Sequence, residues 1–412
     1  MKPLPEAQRD VLAGVEPLPA VRVDLASAAG LALAEPVVAL DDLPPFANSA
    51  MDGYAVLATD VEVTPVDLQV VEDVAAGSVP TKTVTPGTSV KIMTGAPMPA
   101  GADAVVPVED TEPGEGEVRI LKGAPVGASV RPAGDDVVAG TTVLHVGERL
   151  TPARLGVCAS LGYARPLVRR RPRVAILSTG DEIVPAETGE LGPGKIRDAN
   201  RFTLRGGLEQ VGAEVIDYGI VGDDAGELRD RLMEAAAAAD VVVTSGGVSM
   251  GEYDVVKHLL TELGTVEFWK VAMKPAKPFA FGRLDDTPFF GLPGNPVSVA
   301  VAFEQFLRPA LLHMMGCTRL FRPRLHGILE ERVVTDPHKE VFLRVAVRSG
   351  SDGVFHASSS GGQGSNILTA LAAADAFAVV PVGTAEIAAG TSVLLEMMHM
   401  PEERTAQEVT DV

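Results

Sequence analysis

Several carboxylates and three lysines in this chain are spaced as a site for an anionic small molecule would need. Asp181 and Glu182 follow the apolar run in LSTGDEIV, Asp223 and Asp224 follow the run ending Gly219-Ile220, and Asp254 lies just beyond SGGVSMG. If each run is a strand, all of them stand at strand C-terminal ends, where one sheet can bring them within several ångströms. Oxygen-only groups of this kind suit Mg²⁺, which keeps most of its waters and bridges to substrate phosphate. The competing role for any single one is helix N-capping.

The third quarter of the chain adds the complementary charge. The runs VVVTS and FFGL each end in a glycine-bearing turn, Ser245-Gly246-Gly247 and Leu292-Pro293-Gly294-Asn295-Pro296, and a helix is expected after each. Strand-turn-helix junctions aim backbone N–H groups at one point, and glycine lets a ligand approach the backbone. Between the two turns lie Lys270, Lys274 and Lys277. Pro275 and Pro278 stiffen the backbone around the latter two, which favours an oxyanion clamp over solvated surface lysines. Pro293 and Pro296 shape a turn that presents Asn295, although Pro296 also suits a plain helix start. In the N-terminal half, Asp52 in NSAMDGYAV, Thr94 in KIMTGAPMPAGADAVV and Arg131 in VRPAGDDV are weaker candidates, because Asp-Gly and Thr-Gly are common turn pairs. Neither GxxxxGK[ST] nor a well-placed GxGxxG occurs, which disfavours a nucleoside triphosphatase or a nicotinamide enzyme.

These residues need a multidomain frame. At 412 residues the chain exceeds the roughly 250–300 residues over which a single core grows, so two or more domains are expected. The expected fold class is multidomain α/β. A discontinuous, elongated helical domain over 1–44 and 141–168 would carry a β-rich insertion over 45–140. Alternating strands and helices over 169–318 predict a doubly wound, mostly parallel sheet with its ligand at the strand C-terminal ends. A β-barrel-like domain is expected over 319–400, followed by a loose polar tail over 401–412. Helices are read at Val11–Leu18, Leu25–Leu33, Pro152–Leu161, Asp198–Val211, Ala225–Ala239, Tyr253–Leu263 and Pro296–Leu312.

A formal charge of −20 argues against nucleic acid or an anionic membrane as the main partner. An anionic ligand would therefore need a local positive island. Two cysteines, Cys158 and Cys317, and seven scattered histidines suggest neither a disulfide framework nor a thiolate metal site, and a reducing cytoplasm is expected. No signal-peptide core and no run of about 20 apolar residues occurs.

In order along the chain, SAMDGYAV, IMTGAPMPAGADAVV, VRPAGDDV, ILSTGDEIV, TSGGVSMGEYD, WKVAMKPAKPFAFG and GLPGNPVS resemble the MoeA/gephyrin E-domain family, over about residues 3–400. That resemblance implies the last step of molybdenum cofactor synthesis: Mg²⁺-dependent insertion of molybdate into adenylylated molybdopterin, with release of AMP. By resemblance, Gly246, Gly247, Ser249 and the Pro293–Pro296 turn would cradle pterin and phosphates, joined by Ser178, Thr179, Asp198, Ser245, Asn295 and Ser298. Lys270, Lys274 and Lys277 would neutralise anionic oxygens, and Glu182, Asp223 and Asp254 would hold metal or activate water. The family's homodimers have elongated four-domain subunits in which the insertion covers the partner's pocket. Asp52, Thr94 and Arg131 would then act in trans. Arg344 and Ser365 match positions implicated in molybdate contact. The family often has an acidic residue where this chain has Ala47.

Rival readings are the adenylyltransferase that makes the adenylylated pterin, a receptor-organising scaffold, and a pterin-binding paralogue without transferase activity. Other molybdenum-cofactor synthesis proteins are possible partners on the first reading. The choice between molybdate and tungstate is invisible to a clamp that senses charge and shape.

Overall fold

The computed structural model describes residues 1–247 and 255–400. Helix α1 (Leu4–Ala13) buries Leu4, Ala7 and Val11 on one face and stops at Gly14. A Cβ on Gly14 would lie 2.5 Å from the Phe281 ring, so close packing explains that glycine. The second expected helix, around Leu25–Leu33, shrinks to a 3-10 turn at Leu25–Ser27. Leu31, Ala32 and Leu33 are all buried, and bridges from Ala32 to Arg149 and from Leu33 to Val168 hold the chain extended. Consecutive burial, rather than one apolar face, overrides the helical spacing there.

Ala20–Arg22 pairs with Leu167–Arg169, and Val37–Val38 pairs with Thr142–Leu144. Between these pairings the chain makes a six-stranded sheet from Gly53–Val56 to Glu117–Ile120, packed on both faces. Helix α2 (Pro152–Ser160) follows, capped by the Thr151 side chain, which accepts from the Arg154 N–H.

The central sheet contains β1 (Arg173–Thr179), β2 (Glu214–Val221), β3 (Val241–Ser245), β4 (Glu267–Lys270), β6 (Pro278–Leu284) and β7 (Thr287–Leu292). Between β4 and β6 lies the two-residue β5 (Met273–Lys274), which belongs to another sheet. The order is β2-β1-β3-β7-β6-β4. The first four strands run parallel, while β6 runs antiparallel to both β7 and β4. The strand/helix alternation of the sequence does not separate out β6, because it joins β7 by a tight turn at Asp285-Asp286. Strands β1, β3 and β7 are buried almost throughout, as a sheet covered by helices on both faces requires. Those helices include α3 (Asn200–Val211), α4 (Ala225–Ala238) and α5 (Val255–Leu263).

The expected helix at Pro296–Leu312 is a rod of three parts: α6 (Pro296–Ala302), a π-helical turn (Phe303–Leu307) and α7 (Arg308–Met314). Pro309 has no N–H for the Gln305 carbonyl four residues back. That carbonyl accepts from Gln8 Nε2 at 3.3 Å instead, which ties α1 to the rod.

Beyond residue 320, β8 (Arg324–Leu329), β9 (Glu340–Ser349), β10 (Phe355–Ser359), β11 (Ala376–Val380) and β12 (Thr391–Met397) close on themselves in the order β9-β10-β8-β12-β11. The β9–β11 pairing completes the ring. A short helix, α8 (Leu368–Ala372), leads into β11. Strand β5 joins the ring from outside, pairing in parallel with β9 through Met273–Glu340 and Lys274–Val341.

Candidate active site

Three loops converge at the C-terminal edge of the central sheet. Gly246 N–H donates to the Leu292 carbonyl at 3.0 Å, which joins the two glycine turns. Gly246 and Gly247 have φ of 102° and 68°. A Cβ on Gly246 would lie 2.6 Å from the Thr179 carbonyl oxygen, so β1 and the β3 turn meet there with no room for a side chain. Ser178, Thr179 and Ser245 are buried at this junction. Ser178 Oγ donates to Asp198 Oδ1 at 3.0 Å, and Arg201 donates to both Asp198 oxygens. The Asp198 carboxylate is thus engaged inside the protein, where it anchors the start of α3. Asn200, which the sequence reading passed over, donates through Nδ2 to Ser245 Oγ at 2.8 Å and to the Gly294 carbonyl at 2.7 Å.

The strand-end carboxylates divide by role. Asp224 caps α4, its Oδ1 accepting from the Glu227 N–H at 2.8 Å. Asp181 Oδ1 accepts from the Asp223 N–H at 3.0 Å and so links the loops after β1 and β2. Glu182 and Asp223 are exposed. Asp254 and Ser249 lie outside the described residues. Among the described residues no three metal-ligating side chains come together. A cation at Glu182 and Asp223 would take one or two carboxylates from these residues and fill its shell with water and substrate oxygens. Oxygen donors of this kind are compatible with Mg²⁺ chemistry.

Beside the turns, a cavity of about 670 Å³ opens between the central sheet and the C-terminal barrel. Lys274, Lys277, Pro293, Asn295, Ser298, Arg344 and Ser365 all line it. The Val271 N–H donates to the Lys277 carbonyl at 2.8 Å, closing a tight loop from which both lysines project. Neither lysine forms an ion pair among the described residues. Lys270 ends β4 and does not line the cavity. Lys339, unmarked in the sequence reading, does line it, and is paired with Asp336 at 2.5 Å. The Val297 N–H donates to the Ser365 carbonyl at 3.1 Å, so the barrel loop rests on the start of α6.

Arg344 is the most unusual group in this cavity. It is only 1% exposed. It donates through Nη2 to the Gly362 and Gly364 carbonyls at 2.7 and 3.2 Å. Its Nε has no partner, and no carboxylate neutralises it among the described residues. Burial pulls the pKa of this guanidinium below its ordinary value. A buried charge without a counterion is costly, and an anion in the cavity would relieve that cost.

Asp52, Thr94 and Arg131 do not line this cavity. They share one exposed edge of the inserted unit, assembled by backbone bonds. Asn48–Ser49 pairs with Val130–Arg131, Gly95 N–H donates to the Ser49 carbonyl, and Met98 N–H donates to the Ala47 carbonyl. The exposed apolar side chains of Phe46 and Met51 flank this edge.

Residues 2–162 match the family described as MoeA N-terminal region (domain I and II), 175–313 a probable molybdopterin binding domain, and 326–397 the MoeA C-terminal region (domain IV). A Mycobacterium tuberculosis protein named molybdopterin molybdenumtransferase 2 is 41% identical over 401 residues, spanning 95% of this chain and 98% of that protein. A molybdopterin molybdenumtransferase of Haemophilus influenzae is 38% identical over 378 residues, spanning 91% and 93%. A crystal structure of the molybdopterin biosynthesis moeA protein from Pyrococcus horikoshii superposes with a TM-score of 0.83 at 28% identity, covering 96% of this chain and 100% of that one.

Proposed function

The chain belongs to the MoeA family of molybdopterin molybdenumtransferases, and from that membership we propose that it inserts molybdate into adenylylated molybdopterin with release of AMP. It is an enzyme of molybdenum cofactor biosynthesis. The observation that carries the finer reading is Arg344: among the described residues, a buried guanidinium with no carboxylate, in the lining of a cavity that also holds Lys274 and Lys277, neither of them ion-paired there. A positive island in an anionic protein suits a compact anion, and a tetrahedral dianion matches three cations that line one cavity, with Ser298 and Ser365 as further donors.

The glycine turns after β3 and β7 would hold the pterin and its phosphates beside that island, using backbone N–H groups and the Ser245 hydroxyl. In this reaction the two dithiolene thiols displace one molybdate oxygen, which leaves as water, and cleavage of the anhydride consumes one water and frees AMP. Lys274, Lys277 and Arg344 hold the dianion against the sulfurs. Mg²⁺ held by Glu182 and Asp223, with Asp254 from outside the described residues, would neutralise the anhydride oxygens. In a homodimer, Asp52, Thr94 and Arg131 would close over the partner's site. Their exposed edge and its apolar flank support that arrangement.

The test is AMP release from purified protein given adenylylated molybdopterin and Mg²⁺, with and without molybdate. Molybdate-stimulated release is expected. Pterin binding without any release would favour a binding paralogue.

A further inference from the structure

Among the described residues, three buried side-chain polar atoms lack a hydrogen-bond partner: Asn200 Oδ1, Thr244 Oγ1 and Arg344 Nε. Arg344 belongs to the cavity, and Thr244 neighbours Ser245 on β3. Asn200 begins α3, and its amide nitrogen bridges the two glycine turns through Ser245 Oγ and the Gly294 carbonyl. A carbonyl can only accept, so the Gly294 contact fixes which end of the amide is nitrogen. Flipping the amide would give Oδ1 a worse neighbour, oxygen against oxygen. The buried, unpartnered Oδ1 is therefore the cost of placing two donors between the turns, since an unsatisfied buried acceptor is destabilising.

We propose that Asn200 is a positioning residue that makes the two glycine turns, the second of which also lines the anion cavity, move as one unit. It acts through two contacts. The Gly294 contact fixes the turn whose Pro293 and Asn295 line the cavity. The Ser245 contact fills the acceptor side of Oγ, so the hydroxyl keeps its hydrogen for an anionic ligand oxygen. This inference rests on the reaction proposed above.

Asn200→Asp tests it with almost no change of shape. Ionised, the aspartate loses both donors and sets an oxygen against the Gly294 carbonyl. Protonated, it regains one donor. The measurements are the molybdopterin Kd and the molybdate KM for AMP release, between about pH 4 and 8.5, a span that takes in the ordinary aspartate pKa of about 4 and any rise caused by burial, as ratios to wild type, with thermal midpoints to check folding. At high pH both constants should weaken together by about ten- to a hundredfold, the scale of two lost hydrogen bonds, and both ratios should narrow as pH falls. Asn200→Ala, without the charge, should weaken both at every pH. A flat Asn200→Asp ratio, or a change in one constant alone, overturns the coupling. Wild-type protein that binds no molybdopterin overturns the reaction reading and this inference with it; wild-type binding matched by both variants overturns this inference only.

Discussion

Thr94 donates twice to one oxygen of Asp52, through its backbone N–H and its hydroxyl, each at 2.7 Å. Both bonds favour the ionised carboxylate and hold its pKa below the ordinary aspartate value, although the group is exposed. Thr94→Val keeps the N–H and removes the hydroxyl. The Asp52 pKa should rise toward its ordinary value, and if Asp52 acts as an anion the acid limb of AMP release moves to higher pH. Carbon-detected NMR titration of Asp52 checks the first shift, and the pH profile checks the second.

Lys274 lines the cavity and, among the described residues, has no carboxylate partner, so its charge is available to a ligand. Lys274→Ala should raise the molybdate KM by about ten- to a hundredfold, the value of one charge-assisted hydrogen bond. Molybdopterin affinity should stay within about twofold. Steady-state kinetics beside direct pterin binding would separate the two, and an unchanged molybdate dependence would remove Lys274 from the clamp.

Arg344 separates stability from function. Replacing an uncompensated buried charge by an apolar side chain of similar volume is often neutral or stabilising. Arg344→Met should therefore keep or raise the thermal midpoint in anion-free buffer while losing molybdate-dependent AMP release. Molybdate should raise the midpoint of wild type and leave the variant unmoved.

Gly246 admits no side chain. Gly246→Ala would place Cβ 2.6 Å from the Thr179 carbonyl at a φ of 102°. The turn must shift, and because the Gly246 N–H is bonded to the Leu292 carbonyl the neighbouring turn shifts with it; molybdopterin and molybdate binding should both fall, as calorimetry with each ligand would show.

The carboxylates where the barrel meets the rod give a pH prediction. Arg324 donates to Glu396 at 3.0 Å and lies 3.5 Å from Glu340, while Gln305 donates to the other Glu396 oxygen. Burial raises the pKa of both glutamates above their ordinary value of 4.5, against the opposing pull of Arg324. Between that value and the raised one, the folded protein keeps protons that the unfolded chain releases. Their contribution to stability is thus present at low pH and is lost as pH rises through the folded pKa. Glu396→Gln mimics the protonated form. Its midpoint relative to wild type should climb as pH increases above about 4.5, whereas a constant difference would exclude this linkage.

Much of this was legible in the chain itself, and what was not has a common cause. The glycine turns, the lysine loop and the strand-end carboxylates are local patterns, so spacing and residue type reveal them. Asp224 shows the limit: capping and metal binding ask for the same residue at the same place, and only the Glu227 N–H decides between them. Asn200 is less visible still, since its partners stand 45 and 94 residues away. Lys270 and Lys274 look equivalent in sequence, yet the strand break between β4 and β5 sends only Lys274 into the cavity. Around Leu31–Leu33 the helical spacing misled, because neighbours packed the segment on every side.

Lys274 is carried by the chain of the central unit but takes its strand partner, Val341, from the barrel. The positive island is accordingly a seam product: one wall is grown by each unit, and among the described residues neither Lys274 and Lys277 on one side nor Arg344 on the other has a carboxylate partner. A fragment ending before the barrel would keep the sheet and both glycine turns, yet lose Arg344, Ser365 and the scaffold of Lys274 in one cut. On the proposed function, a core cut back to the sheet and its glycine turns would keep the means to hold the pterin and lose the cavity proposed for molybdate. On that reading the barrel would supply the second substrate's half of the site, and its seam with the sheet would be where the two reactants meet.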